Sequence, residues 1–327
     1  MQATEEMAFR GCLRVIRGQE VLREAASGFA DLPNQVPNTQ DTRFATASCG
    51  KVFVAVAILQ LVDQGRLRLE DRLGDLADFE LRAIDPDITV AELLSHTSGI
   101  PDYFDESVMA HYEDLWQDLP NYRIRTNRDL LPLFVDKPMM YPHGTRFQYN
   151  NTGFVVLAMI LERVTGLAFD ACLRERVFEP CGMLRTGYFE LDRLPAGCAA
   201  NYIEDGHPDG PRTNIYSVDA KGTGAGGAFT TTGDICRFWQ GLVGHRLLSP
   251  EMTALMLANH SGEAGCYGYG VWLMNTPGGA LPYIQGSDPG VSFVSVCEPR
   301  SGLVCVLVSN YGDDVWTPLD QVLQSHT

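Results

Sequence analysis

The chain has 327 residues, of which 45% are hydrophobic and 20% charged. That size and balance fit one large domain or two lobes and exclude a disordered polypeptide. Its 41 acidic residues against 25 basic ones leave a formal charge of −16, which excludes nucleic acid and anionic membrane surfaces as partners held by bulk electrostatics.

Residues 8–30 read as a β-hairpin turning at Arg17-Gly18-Gln19-Glu20. After a Pro/Asn-rich loop, residues 52–59 are apolar on every side and the run stops at Gly65, the pattern of a buried helix. From residue 67 to 224 the pattern is mostly short helices and loops: a short helix over 91–94, a long apolar one over 152–165 stopped by Gly166, and another over 169–178 ended by Pro180. The tail changes character. Residues 269–274, 281–285, 291–297 and 303–309 are short β-rich runs between Gly/Pro/Ser turns, and a helix over 316–323 closes the chain. Strands at both ends with helices between them predict an α+β fold. Residues 1–45 with 225–327 are expected to form a sheet lobe, and residues 46–224 a mostly helical one.

The nine cysteines are scattered and form no C-x-x-C, so free, mostly buried thiols are expected. The longest apolar run, 52–62, is about half a bilayer span, and residues 1–10 do not read as a leader. A soluble, cytoplasmic protein is the expectation. The seven histidines form no H-E-x-x-H or cluster, which leaves no metal and no cofactor. Gly222 to Gly227 fits G-x-G-x-x-G, but no β-α-β unit surrounds it to bind a dinucleotide. No G-x-S-x-G occurs.

Only 3 of the 25 bases are lysines, at 51, 137 and 221, and one of them completes Ser48-Cys49-Gly50-Lys51 at the start of the buried helix. Residues three apart share a helix face. A lysine buried under a serine loses proton affinity and can serve as its base, although a serine cap followed by a snorkelling lysine has the same spacing. Tyr149-Asn150-Asn151 precedes the second long helix. The tyrosine is a candidate proton relay and Asn151 a candidate orienting amide; a loop tyrosine beside a helix cap is the plain alternative. Residues 284–292 join two predicted strands and contain Gly286, Ser287 and Asp288 at an edge that would offer backbone N–H groups to a substrate carbonyl. A plain β-turn is the alternative for this segment; beside a site, Asp288 would favour a cationic or neutral substrate.

Taken together these motifs resemble the penicillin-recognising serine hydrolases, and within them the class C β-lactamase-like group of D-Ala-D-Ala carboxypeptidases, D-amino-acid amidases and family VIII esterases. Leu93 to Pro101 is similar to that group's L-L-x-H-T-S-G-[IL] stretch, Gly144 to Asn151 to its G-T-x-F-x-Y-[SN]-N, Phe178 to Met183 to F-x-P-L-G-M, and Gly226 to Asp234 to G-G-x-x-S-T-x-x-D. The matches run in order from about residue 8 to 310. The resemblance implies a β-lactamase/transpeptidase-like fold, an antiparallel sheet from both termini flanked by helices with a helical lobe beside it, and a cleft between.

It further implies a serine hydrolase working through an acyl-serine on an ester, amide or β-lactam, with a small-molecule or peptide-like substrate. Ser48 would be the nucleophile and Lys51 its base. Tyr149 would share that role or protonate the leaving group, and Asn151 would position substrate and lysine. The Ser48 and Ser287 amides would form the oxyanion hole, and His96 would be structural. One position departs from the pattern: the [KH]-[TS]-G cation of the facing strand falls on Ile284, with Lys221 a distant substitute. That departure removes the usual anchor for a substrate carboxylate, and it leaves a non-catalytic binding or assembly protein of the same fold as the alternative.

Overall fold

The computed structural model describes residues 9–262 and 266–326; the first residue of the expected hairpin, Ala8, lies outside them. Six strands form one antiparallel sheet: β1 (Gly11–Arg17), β2 (Glu20–Ser27), β3 (Trp272–Thr276), β4 (Gly279–Asp288), β5 (Val291–Glu298) and β6 (Leu303–Ser309), in the order β2-β1-β6-β5-β4-β3. Both ends of the chain therefore supply it. β1 pairs with β6 from Cys12 opposite Val308 to Arg17 opposite Leu303.

Central β6 is buried along its whole length, and its side chains alternate between two cores, as a strand covered on both faces requires. Leu303, Cys305 and Leu307 pack with Leu13, Val15, Val294 and Val296 under Leu319 and Val322 of the C-terminal helix. Val304, Val306 and Val308 face the larger core. That core surrounds helix α1 (Lys51–Asp63), whose residues from Lys51 to Leu59 are all buried. Helix α2 (Asn151–Thr165) packs on α1, and α3 (Thr232–Val243) packs on β1 and β6. A helix apolar all round is stable only when enclosed in this way.

α2 ends where Gly166 turns left-handed at φ +73, the stop read from the sequence. The next helix differs from the expectation. It begins at Phe169, passes through a π-helical turn at Arg174–Phe178, and continues past Pro180 to Cys181 before the left-handed Gly182. Pro180 sits at the start of a new helical turn, where its missing N–H is not needed. The C-terminal helix α4 is Trp316–His326. All nine cysteines are free thiols, seven of them buried. No single helix among the described residues is long and apolar enough to cross a membrane.

Candidate active site

Ser48 lies in one turn of 3-10 helix, Ala47–Gly50, that runs straight into α1. Side chains at i and i+3 eclipse in a 3-10 turn, which stacks Lys51 beneath Ser48. The turn is entered through Ala47, a non-glycine residue at φ +46. This left-handed conformation costs about 1–2 kcal/mol. It is held by the Gly227 amide, which donates to the Ala47 carbonyl at 3.0 Å.

Lys51 is buried (2% exposed). Its Nζ lies 3.0 Å from Ser48 Oγ, 2.8 Å from Asn151 Oδ1 and 2.5 Å from the Ala225 carbonyl. Burial lowers its pKa to about 8, with Glu106, Asp102 and Asp288 nearby pulling the other way. A neutral amine has two N–H donors and one lone pair. The Asn151 and Ala225 oxygens accept both donors, which leaves the lone pair for the Ser48 hydroxyl.

Asn151 is fixed in turn. Its side-chain NH2 donates to the Phe104 carbonyl at 3.2 Å, and its backbone N–H to Asp102 Oδ2 at 2.9 Å. Asp102 is buried and also accepts from the backbone and hydroxyl of Thr152, at 3.1 and 3.2 Å. It thus satisfies N–H groups that the start of α2 would otherwise leave open. Desolvation raises its carboxyl to about 6 against those hydrogen bonds.

Tyr149 stacks on Trp272 at 5.7 Å and lies beside His96, 4.5 Å between ring centres. Lys51 Nζ is 4.9 Å from the centre of its ring. Burial pushes the phenol well above its ordinary pKa, and contact with the Ser48 hydroxyl opposes this only in part. His96 is buried, and its Nδ1 accepts the Asn150 amide at 3.1 Å. Burial pushes its pKa down, so the ring is neutral and structural. The Cys49 thiol, also buried, is pushed up and inert as a nucleophile.

β4 closes the site from the sheet. Its pairing with β3 ends at Tyr283, so beyond that residue the edge faces the Ser48 turn. A Cβ at Gly286 would stand 2.3 Å from the Thr46 carbonyl oxygen and 2.7 Å from the Ser48 nitrogen, so only glycine admits this approach. Gly226 is equally tight, 2.3 Å from the Ala47 oxygen. The glycine-rich segment that resembled a dinucleotide motif therefore packs against the Ser48 turn.

Two cavities meet at Ser48. The larger, about 830 Å³, is lined by Tyr103, Glu106, Asn151, Asp219 and Asp288 among others. The smaller, about 510 Å³, is lined by Tyr149, Trp272, Gln285, Ser292 and Trp316. Ser287 borders both and is exposed. The structure thus brings Ser48, Lys51, Tyr149, Asn151, Gly286, Ser287 and Asp288 together. It also adds residues the sequence did not single out. Asp102, Asp219 and the Ala225 carbonyl are separated from their partners by tens of residues or more, and no local spacing signals them. Ile284 is buried in the main core. Lys221 does not replace the missing cation, because it pairs with Asp170 at 2.9 Å and lines neither cavity.

The chain is 27% identical to Penicillin-binding protein 4* of Bacillus subtilis (strain 168), over 95% of this chain and 70% of that protein. It is similar to the crystal structure of a penicillin binding protein from Bacillus halodurans, with a TM-score of 0.91, 38% identity, and coverage of 97% of this chain and 96% of the other. D-amino acid amidase from Ochrobactrum anthropi SV3 superposes with a TM-score of 0.79 and 25% identity, over 96% and 92% of the two chains. With the Beta-lactamase family model matching residues 3–319, the chain belongs to the Beta-lactamase family.

Proposed function

We propose that the protein is a serine hydrolase that transfers an acyl group to water through an acyl-Ser48 intermediate. The observation that carries this is the buried Lys51 amine, 3.0 Å from the Ser48 hydroxyl and within hydrogen-bond distance of the Asn151 and Ala225 oxygens, which can accept both N–H groups of its neutral form. Lys51 takes the hydroxyl proton as Ser48 Oγ attacks the carbonyl carbon. The carbonyl oxygen gathers negative charge between the backbone N–H groups of Ser48 and Ser287, at the start of a helix where such charge is favoured. The bond to the leaving group breaks, and the leaving atom takes a proton. Tyr149 is the donor, because a phenol whose pKa is raised by burial stays protonated. Lys51 then passes its proton to the Tyr149 phenolate, which resets both groups. Water enters, gives a proton to Lys51 as its oxygen attacks the acyl carbon, and when the bond to Ser48 Oγ breaks Lys51 returns that proton to the serine, releasing the acid and restoring Ser48.

Tyr149 lines only the smaller cavity, so the leaving group occupies that side and the acyl group the larger one. No Lys, Arg or His among the described residues lines the smaller cavity. Glu106, Asp313 and Asp314 line it instead, so a leaving group ending in a carboxylate finds no anchor there and is disfavoured. Intact-protein mass after treatment with a fluorophosphonate tests the assignment. An adduct on the wild type that is absent from Ser48→Ala is expected, with hydrolysis of p-nitrophenyl acetate falling more than about a thousandfold. Labelling or turnover retained in Ser48→Ala would overturn it. Penicillin, whose carboxylate would face the cation-free side, is expected to acylate more slowly than the fluorophosphonate.

A further inference from the structure

The larger cavity holds two carboxyl groups with no cation among the described residues bonded to either. Asp219 and Asp288 both line it. The Asp219 carboxylate has one neutral partner, the Tyr112 hydroxyl, which donates at 3.3 Å. Asp288, at the end of β4 two residues beyond Gly286, pairs with Val291 through its backbone, and its carboxyl group has no hydrogen bond or ion pair to a described residue. Glu106 is exposed at the same mouth.

The cations nearby are already committed. Arg212 is held by Asp205 at 3.0 Å and Glu113 at 2.9 Å. Lys221 is held by Asp170, and Lys51 by the catalytic contacts above. Asn201, 4% exposed, also lines the cavity, and its side-chain oxygen is buried with no hydrogen-bond partner, so this wall holds an unmet acceptor beside the two carboxyl groups. The empty cavity penalises its own charge. Desolvation and then the neighbouring Asp288 raise Asp219 to about 8, and desolvation raises Asp288 to about 7. A cation placed between them removes that penalty, and it does so in a partly desolvated cleft where charge pairs are stronger than in water.

We propose that the larger cavity binds a primary ammonium on the acyl part of the substrate, held by Asp219 and Asp288, so that the protein acts on esters or amides of amino acids whose amino group is free. This rests on the acyl-Ser48 reading and on the acyl group lying in the larger cavity. It gives each end of the cleft its own chemistry. The acyl side takes a positive charge beside two carboxylates. The leaving-group side, walled by Tyr149, Trp272 and Trp316 and lined by Glu106, Asp313 and Asp314 with no cation among the described residues, excludes a carboxylate. The step is ordinary acyl transfer: the C–O or C–N bond breaks, the alcohol or amine leaves protonated, and water supplies the oxygen of the released amino acid.

Alanine methyl ester is compared with N-acetylalanine methyl ester, in D and L forms, near neutral pH. N-acetylation removes the charge and keeps the ester. For one enantiomer the free amine is expected to be favoured at least about tenfold in kcat/KM, a preference worth about 1.4 kcal/mol. In Asp219→Asn that ratio should fall toward one, with the change mainly in KM. In Asp219→Glu part of it should return. Equal or faster hydrolysis of both acetylated esters overturns the proposal, as does a preference that survives in Asp219→Asn and Asp288→Asn alike.

A second measurement needs neither variants nor turnover. Calorimetry on the wild type should find benzylammonium bound at least about tenfold more tightly than benzyl alcohol, and equal binding would overturn the site. Turnover of p-nitrophenyl acetate separates the two readings. Its absence, together with no fluorophosphonate adduct, defeats the acyl-serine mechanism. Its presence without a preference for amines defeats only the ammonium site.

Discussion

The behaviour of Lys51 follows from where its hydrogen bonds go. A lysine in water is protonated below about pH 10 and has no lone pair to offer. Burial lowers this one to about 8, so its basic form grows as pH rises through that value. With p-nitrophenyl acetate, kcat/KM is expected to climb between about pH 6 and 9 along a limb centred near 8. A limb near 10 would place the amine in water and refute the assignment. Asn151→Ala removes one of the two acceptors that aim the lone pair. The expected loss is tenfold to a hundredfold, in kcat more than KM, and equal loss in both would mean that Asn151 mainly binds substrate. At this scale the sequence was informative where the geometry is local. Ser48 and Lys51 sit one turn apart on one element, and three-residue spacing declares that. Asp102 holds Asn151 from 49 residues away, and no pattern along the chain encodes such a pairing.

The elements meet at one of the two tightest approaches to the Ser48 turn, where β4 runs against it. Gly286→Ala would force a methyl group into a gap bounded by the Thr46 carbonyl and the Ser48 amide. The strand must withdraw by a fraction of an ångström or more, and a displacement of about 1 Å at a reacting centre costs roughly a hundredfold. Far-UV circular dichroism is expected to stay unchanged while kcat/KM falls by about that factor. Full activity in Gly286→Ala would mean that the strand edge takes no part in catalysis. Strands β4, β5 and β6 were legible because a buried strand writes a compact apolar run between turns. The stretch between α1 and α2 was legible in outline, since the short helix expected over 91–94 forms at Val90–Leu94, but not in detail, because its 3-10 turns and loops are held by distant contacts such as the Asn150 side chain donating to the Ile100 carbonyl. The helix that begins at Phe169 ran past the expected stop because Pro180 opens a turn there.

For the whole molecule, the second core beneath α4 is separate from the site. Leu319 is fully buried there against the sheet face turned away from Ser48. Leu319→Ala should cost about 2–5 kcal/mol and lower the denaturant midpoint, with kcat/KM unchanged while the protein is folded. A loss of activity matching the loss of stability would show that the two faces of the sheet are coupled. The α+β architecture was readable from the chain because strand-like segments lie at both ends and helical ones between them. The order β2-β1-β6-β5-β4-β3 was not, since antiparallel runs of similar composition do not specify their neighbours.

That order also has a consequence in time. The partner of Cys12 is Val308, 296 residues later. At synthesis rates of about 5–20 residues per second, the N-terminal hairpin waits roughly 15–60 s for the strand that completes its sheet. Until then the apolar edge of β1 is open to the ribosome, to chaperones and to other nascent chains, and contacts so distant in sequence close slowly even afterwards. Arrest of translation before residue 303 should therefore leave a protease-sensitive chain, and release past α4 should make it resistant in a single cooperative step.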